Sequence, residues 1–147
     1  MSDLLNSKMK AVEIKVDYHE DDRAQRVLNL FDLKDGQINI SHFNSTSHVV
    51  AWHVHEIQTD YWFCPKGSFK VGLAELQEDG LTYKVRWEYL SDKNLRALKI
   101  PPGTYHGYKA LQPDSIMLYY LTEKYDPSDE KRVKPGFFGE IWEAENK

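Results

Sequence analysis

The sequence lacks the features of a secreted, membrane-spanning or nucleic-acid-binding protein. Its 147 residues include one cysteine, Cys64, so an internal disulfide is excluded and a reducing compartment, the cytoplasm, is expected. No signal peptide is predicted, and no apolar run approaches the roughly 20 residues of a membrane span. The net charge of -4 comes from interspersed acids and bases, which excludes the basic surface that nucleic acids require.

Long stretches with helical periodicity are absent as well, and short β-type runs take their place. Turn signals such as Asp35-Gly36, Asp79-Gly80 and Pro101-Pro102-Gly103 separate these runs. Many short strands at this spacing predict an all-β sandwich or barrel in one domain, residues 1–147. The predicted strands cover residues 12–18, 25–32, 37–43, 48–54, 59–64, 68–76, 82–89, 95–100 and 115–122.

Both ends of the chain are predicted to differ from this strand-rich middle. Residues 1–10 are polar and are expected to be loosely ordered. The charged tail, residues 126–147, is expected to form either a short helix or an ordered wrap around Phe137, Phe138 and Trp142. Cys64 lies in an apolar run, which predicts a buried and unreactive thiol.

Two segments, residues 52–60 and 101–107, hold three of the six histidines. In the first segment His53 and His55 stand two positions apart on a predicted strand, so their side chains share one face. The second segment is a rigid Pro-Pro-Gly turn followed by His106. Such an arrangement brings polar side chains together inside a small barrel, and it predicts a functional site there.

These segments resemble the two halves of the cupin pattern. The cupin pattern has His-x-His, then an acid and a glycine turn, and later Pro-x-Gly-x-x-His. Here His53 and His55 are followed by Asp60 and Gly67, and the second half ends at His106. The resemblance implies a cupin-type antiparallel jelly-roll barrel.

A narrower resemblance covers about residues 20–133. It is to the dTDP-4-dehydrorhamnose 3,5-epimerase family of nucleotide-sugar cupins. The motifs that carry it are Asp21-Asp22-Arg23, Ala51-Trp52-His53, the run from Ile100 through Pro101-Pro102-Gly103 and His106-Gly107 to Tyr108, and Leu118-Tyr119 followed by Thr122, Tyr125, Pro127 and Glu130.

The resemblance implies an isomerase that acts on a 4-keto-6-deoxy nucleotide sugar by removing a proton next to the ketone. It makes His53 the catalytic base and Tyr119 the acid on the opposite face, a choice over Tyr120 that the alternating pattern alone does not make. A histidine suits the base role because its ordinary pKa is about 6.5. These proton transfers require no cofactor.

The same resemblance assigns the substrate contacts and a partner. Arg23 is expected to bind the diphosphate and His106 to position or polarise the sugar ketone, with His55 and Asp60 as further contacts. The family also implies a homodimer, and the apolar alternation in residues 11–18 fits a strand added to the sheet of a second copy.

The chain departs from the family's pattern in three places. Val50 stands where the family has an arginine near the base, and Asp60 stands where it has an active-site lysine. The family's aspartate partner of the base lies in a C-terminal extension that has no counterpart here. Glu140, Glu143 and Asp60 are the candidates to replace it.

Two other functions remain open on these residues. His53, His55, Asp60 and His106 form a set of three imidazoles and one carboxylate at cupin ligand spacing, which suits one divalent transition metal ion. That set would indicate a metal-dependent oxygenase or isomerase. Alternatively, the barrel and its aromatic residues would serve a sugar-binding protein without catalysis.

Overall fold

The computed structural model describes residues 10–143 and contains twelve strands within that span. They are β1 (Val12–Lys15), β2 (Asp17–Glu20), β3 (Gln25–Leu28), β4 (Gln37–Phe43), β5 (Val49–His55), β6 (Asp60–Lys66), β7 (Ser68–Leu76), β8 (Tyr83–Ser91), β9 (Arg96–Ile100), β10 (Tyr105–Ala110), β11 (Ser115–Leu121) and β12 (Glu130–Arg132). One 3-10 helix, Pro127–Asp129, precedes β12. No helix in the described span is long and apolar enough to cross a bilayer.

The strands form two five-stranded antiparallel sheets and a separate ribbon. The first sheet has the order β1-β9-β6-β11-β4, and the second has the order β12-β5-β10-β7-β8. Among the described residues, strands β2 and β3 pair with each other and with neither of these sheets. The predicted all-β jelly-roll fold is confirmed. The loose order expected for residues 1–10 falls, except for Lys10, outside the described residues.

The main core lies between the two sheets. It forms because alternate residues of each strand point inward, as with Phe69, Val71 and Leu73 of β7, which are all fully buried. Trp62 of β6 and Met117 of β11 meet them from the first sheet. Burial of these apolar groups is the main term that stabilises the barrel. Cys64 belongs to this core, and burial raises the pKa of its thiol to about 12, so it is inert as predicted.

A second aromatic cluster covers the outer face of the second sheet. The C-terminal segment returns across this face, and Phe138 and Trp142 pack against Trp52 with ring centroids 5.3 Å apart in both pairs. Gly72 leaves room for them, because a Cβ there would lie 2.6 Å from the Trp52 ring. The tail is therefore an ordered wrap. Phe137, with 64% exposure, is not at its centre.

The predicted strands match the observed ones best where alternation is regular. Residues 37–43 and 68–76 agree with β4 and β7 at both ends. The run 12–18 divides into β1 and β2, because β1 pairs with β9 whereas β2 turns back to pair with β3. Two strands were not predicted. Strand β10 contains a glycine in its interior, and β12 is three charged residues.

A β-bulge shapes β5 next to the histidines. His53 is opposite His106 and Val50 is opposite Tyr108, so two residues of β5 face the single residue Gly107 of β10. Gly107 is required there because a Cβ would lie 2.5 Å from the Ala51 Cβ. The bulge turns Val50 to the same side as His53, although the two positions have opposite parity.

Candidate active site

A cavity of about 240 Å³ opens between the two sheets and contains all the motif histidines. This is the size of a small-molecule site rather than a macromolecular one. The second sheet contributes His53, His55, His106 and Glu130, and the first contributes Asp60, Trp62 and Tyr119. The rest of the lining is Asn39, Val50, Gln58, Tyr108, Met117, Leu121, Tyr125 and Asp126.

His53 is held by a carboxylate from β12. Its Nδ1 lies 2.8 Å from Oε1 of Glu130, a residue of β12, which is paired with β5. The other oxygen of Glu130 accepts two hydrogen bonds from Arg132, at 3.1 Å and 2.9 Å. Burial alone would raise the pKa of Glu130, but the hydrogen bonds from His53 and Arg132 lower it below its ordinary value. Glu130 is therefore an anion that fixes the Nδ1–H tautomer of His53.

This pairing corrects the candidates for the carboxylate partner. Glu140 accepts hydrogen bonds from the Gly136 and Phe138 amides and the Trp142 indole, and so closes the C-terminal turn. Glu143 lies 3.6 Å from the Lys109 ammonium. Asp60 belongs to a different hydrogen-bond group. Glu130 takes the role because β12 places it beside His53, which the spacing of the sequence does not reveal.

His106 is buried and has a fixed orientation. Its Nδ1 lies 3.1 Å from the Thr104 carbonyl, and its ring stands edge-on to Trp62 at 5.3 Å. Burial lowers the pKa of His106 to about 4, against an opposing effect of the Asp60 charge. His106 is therefore neutral at physiological pH. The His53 and His106 rings are stacked with centroids 6.4 Å apart, within one small pocket.

His55 and Asp60 are joined by a residue that the sequence did not single out. The Gln58 amide nitrogen donates to Asp60 Oδ1 at 2.7 Å and lies 3.3 Å from His55 Nε2. Nδ1 of His55 lies 3.2 Å from the Asp129 carbonyl. The Trp62 indole donates to Asp60 Oδ2 at 3.1 Å, so both carboxylate oxygens are engaged. Gln58 lies within the first histidine segment, and that position was its only signal.

Tyr119 faces the cavity from the first sheet. Its hydroxyl lies 2.9 Å from Ser41 Oγ on the neighbouring strand β4. Tyr120 points the other way, where its hydroxyl donates to the Asp35 carbonyl. Similarly, Trp62 lines the cavity, whereas Tyr61 stacks on Tyr120 outside it at 5.6 Å. Register therefore separates the two adjacent pairs of aromatic residues.

Arg23 does not belong to this cavity within the described chain. It lies between β2 and β3 with its side chain 76% exposed, and its guanidinium pairs with Asp21 at 2.7 Å. None of the described residues that line the cavity is a lysine or an arginine. Arg132 lies directly opposite His53 across the β12–β5 pair.

The structure groups only three of the four residues of the predicted metal site. Ligand atoms of His55, Asp60 and His106 lie within 4.8 Å of one another, but His53 is not part of that group. The cavity thus contains two functional units. One is the pair His53–Glu130, suited to proton abstraction, with Tyr119 on the facing sheet. The other is a cluster of acceptors built from the remaining two histidines and Asp60.

Comparison with known proteins identifies the family to which the chain belongs. The sequence profile of the family described as dTDP-4-dehydrorhamnose 3,5-epimerase matches residues 11–137. The chain is 34% identical over 129 residues to the spore coat polysaccharide biosynthesis protein SpsL of Bacillus subtilis (strain 168), covering 78% of this chain and 82% of SpsL. It is 27% identical over 114 residues to dTDP-4-dehydrorhamnose 3,5-epimerase of Mycolicibacterium smegmatis, covering 76% of this chain and 56% of that protein.

Solved structures show the same fold. The RmlC epimerase of Mycobacterium tuberculosis superposes with a TM-score of 0.76 at 24% identity, covering 86% of this chain and 70% of the other. ChmJ, a 3'-monoepimerase from Streptomyces bikiniensis in complex with dTDP-quinovose, gives a TM-score of 0.79 at 19% identity, covering 90% and 74% of the two chains. The chain therefore belongs to the dTDP-4-dehydrorhamnose 3,5-epimerase family, a family of sugar epimerase and isomerase enzymes.

Proposed function

We propose that this enzyme removes and returns a proton at a carbon next to the ketone of a 4-keto-6-deoxy nucleotide sugar, with His53 as the base and Tyr119 as the acid. The observation that carries the proposal is their placement. His53 projects from the second sheet and Tyr119 from the first, so the two groups approach the cavity from opposite walls. Inversion at carbon needs a base on one face and an acid on the other.

The hydrogen bonds define the state of each group before reaction. His53 donates from Nδ1–H to Glu130, so its Nε2 carries the lone pair that can accept the carbon proton. Removal of that proton leaves the electron pair in the sugar as an enolate. The Tyr119 hydroxyl then gives its proton to the opposite face of the same carbon. Glu130 stabilises the imidazolium formed in the first step.

Solvent exchange tests this proposal directly. The purified enzyme is incubated with dTDP-4-keto-6-deoxyglucose in deuterated buffer, and NMR identifies each carbon that gains deuterium. We expect exchange next to the ketone, with inversion at one or both exchanged carbons. The fold also superposes on that of QdtA, a sugar 3,4-ketoisomerase, with a TM-score of 0.69 at 16% identity. The same spectra should therefore be searched for a product in which the ketone has moved to another carbon. A protein that binds dTDP but exchanges no proton would instead be the sugar-binding alternative.

Replacing Tyr119 with Phe should separate abstraction from return. The ring and its packing remain, but the hydroxyl is lost, so deuterium exchange by His53 should continue while inversion slows by about 100-fold. Integration of the inverted and retained products measures the ratio. Tyr120→Phe is the matched control, because that hydroxyl lies outside the cavity. Unchanged inversion in Tyr119→Phe would remove Tyr119 from the mechanism.

We propose that the enzyme acts in the cytoplasm as a homodimer. The single, buried cysteine fits a reducing compartment. The β2–β3 ribbon pairs with neither five-stranded sheet, and an isolated two-stranded ribbon is marginally stable in water. The outer face of the first sheet also exposes Val12, Ile38 and Ile40, at 46%, 48% and 65%. A second copy covering this face is the proposed partner.

Replacing Ile40 with Glu should weaken this dimer. The change places a charge on the apolar face, and desolvating it at an interface is unfavourable. Light scattering should give twice the chain mass for the wild type at micromolar concentration and a shift towards one chain mass for the variant. Leu81→Glu is the control, since Leu81 is 85% exposed in a turn away from that face. A wild-type monomer would contradict the proposal.

A further inference from the structure

The two histidines that do not serve as the base have the same tautomer. Nδ1 of His55 bonds to the Asp129 carbonyl at 3.2 Å, and Nδ1 of His106 bonds to the Thr104 carbonyl at 3.1 Å. A carbonyl oxygen only accepts hydrogen bonds, so each Nδ1 carries the proton of the neutral ring. Nε2 of each ring is therefore the nitrogen that can accept, and in His55 it lies 3.3 Å from the Gln58 amide nitrogen. Protein ligands of transition metals are commonly oriented in this way by backbone carbonyls.

The Asp60 carboxylate lies close to both of these nitrogen atoms. Ligand atoms of His55, Asp60 and His106 all lie within 4.8 Å of one another. Nε2 of His106 is 3.6 Å from Asp60 Oδ2. Asp60 and His106 are each only 7% exposed at the side chain, so water would only weakly screen the attraction between a bound cation and the carboxylate.

The surrounding groups supply donors to Asp60 but no positive charge. The Gln58 amide and the Trp62 indole donate to the Asp60 carboxylate, and both are neutral. No lysine or arginine is among the described residues that line the cavity. A buried carboxylate beside two imidazole nitrogens, with no cationic side chain on the described lining, is a donor set that a metal ion would complete.

We propose that His55, Asp60 and His106 form a binding site for one divalent first-row transition metal ion. Two imidazoles and one carboxylate are a donor set that suits iron, manganese, cobalt or zinc. The proposal extends the proposed function at one point only. An ion bound there would supply Lewis-acid stabilisation of negative charge on the substrate's ketone oxygen, which no cation lining the described cavity provides.

His53 stays outside this site, and its contacts explain why. Its Nδ1 is engaged by an anionic carboxylate from β12 rather than by a backbone carbonyl, and its Nε2 is required as the base. The chain thus divides its three motif histidines between two tasks. One accepts a proton and two bind an ion. This division distinguishes the proposed site from a four-ligand site that includes His53.

Metal binding without substrate tests the site independently of any activity. Untagged protein is stripped with a chelator, dialysed and titrated with Co²⁺, and binding is followed by calorimetry and by the visible absorption of the cobalt ion. We expect one ion per chain. His55→Gln and Asp60→Asn should each weaken binding by about 100-fold or more, since loss of even an outer contact of a metal ligand costs roughly 10- to 100-fold.

Matched variants make the result decisive. His53→Asn should bind Co²⁺ like the wild type, because His53 is not a ligand. His42→Gln, which removes an exposed histidine paired with Asp114, should also bind normally and controls for surface binding. His55→Gln replaces a half-buried side chain, so it keeps the test valid if Asp60→Asn fails to fold by circular dichroism.

Three outcomes would overturn the proposal. They are no stoichiometric binding by the wild type, binding that survives in His55→Gln, and binding lost equally in His53→Asn. The last outcome would restore the four-ligand site and would also remove His53 as a free base. Failure of the solvent-exchange assay, by contrast, would refute the proposed function without affecting the cobalt titration.

Discussion

Replacing His53 with Asn is expected to lower the rate of solvent deuterium exchange into a 4-keto-6-deoxy nucleotide sugar by about 10³- to 10⁴-fold, at the upper end of what a general base contributes. Asparagine keeps a polar group of similar reach but has no lone pair basic enough to take a proton from carbon. Exchange reports proton abstraction alone, so the effect does not depend on which carbon is inverted. The affinity for dTDP should change little, because the nucleotide is remote from the abstracted proton.

His42→Asn is the matched control for that experiment. His42 is also on a strand and also pairs with a carboxylate, Asp114 at 3.1 Å, but it lies on the outer side of β4. Its exchange rate should equal that of the wild type. Circular dichroism of both variants should show an intact β-fold. If His53→Asn keeps exchanging at the wild-type rate, another group is the base and the mechanism proposed above is wrong.

Strand alternation correctly predicted which of the motif histidines share a face. It placed His53 and His55 on one face, and the structure has both side chains in the same cavity. The cupin resemblance predicted Asp60 near His106, through two motifs that meet when a barrel closes. His53 and His55 lie in the part of β5 beyond its bulge, where a two-residue period decides which face a side chain takes.

The features that the sequence did not predict depend on contacts between distant segments. Val50 reaches the cavity only because the bulge opposite Gly107 changes the parity of β5. Glu130 reaches His53 only because a three-residue charged strand adds to the edge of the second sheet. Such a strand has neither the length nor the apolar alternation by which strands are recognised. The sequence therefore suggests Glu140, Glu143 and Asp60 instead, and the structure uses Glu140 to close a turn.

The same edge strand leads to the second large effect, the replacement of Glu130 with Gln. In the wild type one carboxylate oxygen accepts from His53 and the other accepts from Arg132. An amide has one oxygen and one NH₂ group. Arg132 has only donors, so it should attract the amide oxygen and leave the NH₂ group facing Nδ1 of His53. Nδ1 must then accept, and the proton of the neutral ring moves to Nε2.

In this tautomer Nε2 carries a hydrogen, so the lone pair that accepts the substrate proton is lost. We expect exchange to fall by about 10³-fold, comparable in kind to the loss seen when a triad carboxylate becomes an amide and fixes the wrong histidine tautomer. Long-range proton–nitrogen NMR of the His53 ring would show which nitrogen carries the hydrogen. The wild type should show the proton on Nδ1, and Glu130→Gln should show it on Nε2.

Arg132 provides the control that separates tautomer from simple loss of charge. In the double variant Glu130→Gln with Arg132→Leu, nothing forces the amide oxygen outward, so the amide can turn and again accept from Nδ1–H. Exchange should then recover by about 10-fold over Glu130→Gln alone, a coupling that independent sites would not show. A glutamine variant with full activity, or a double variant that is slower than the single one, would mean that Glu130 does not set the tautomer of His53. Recovery in the double variant would instead show that Arg132 orients the side chain at position 130, and that this side chain in turn sets the tautomer of His53.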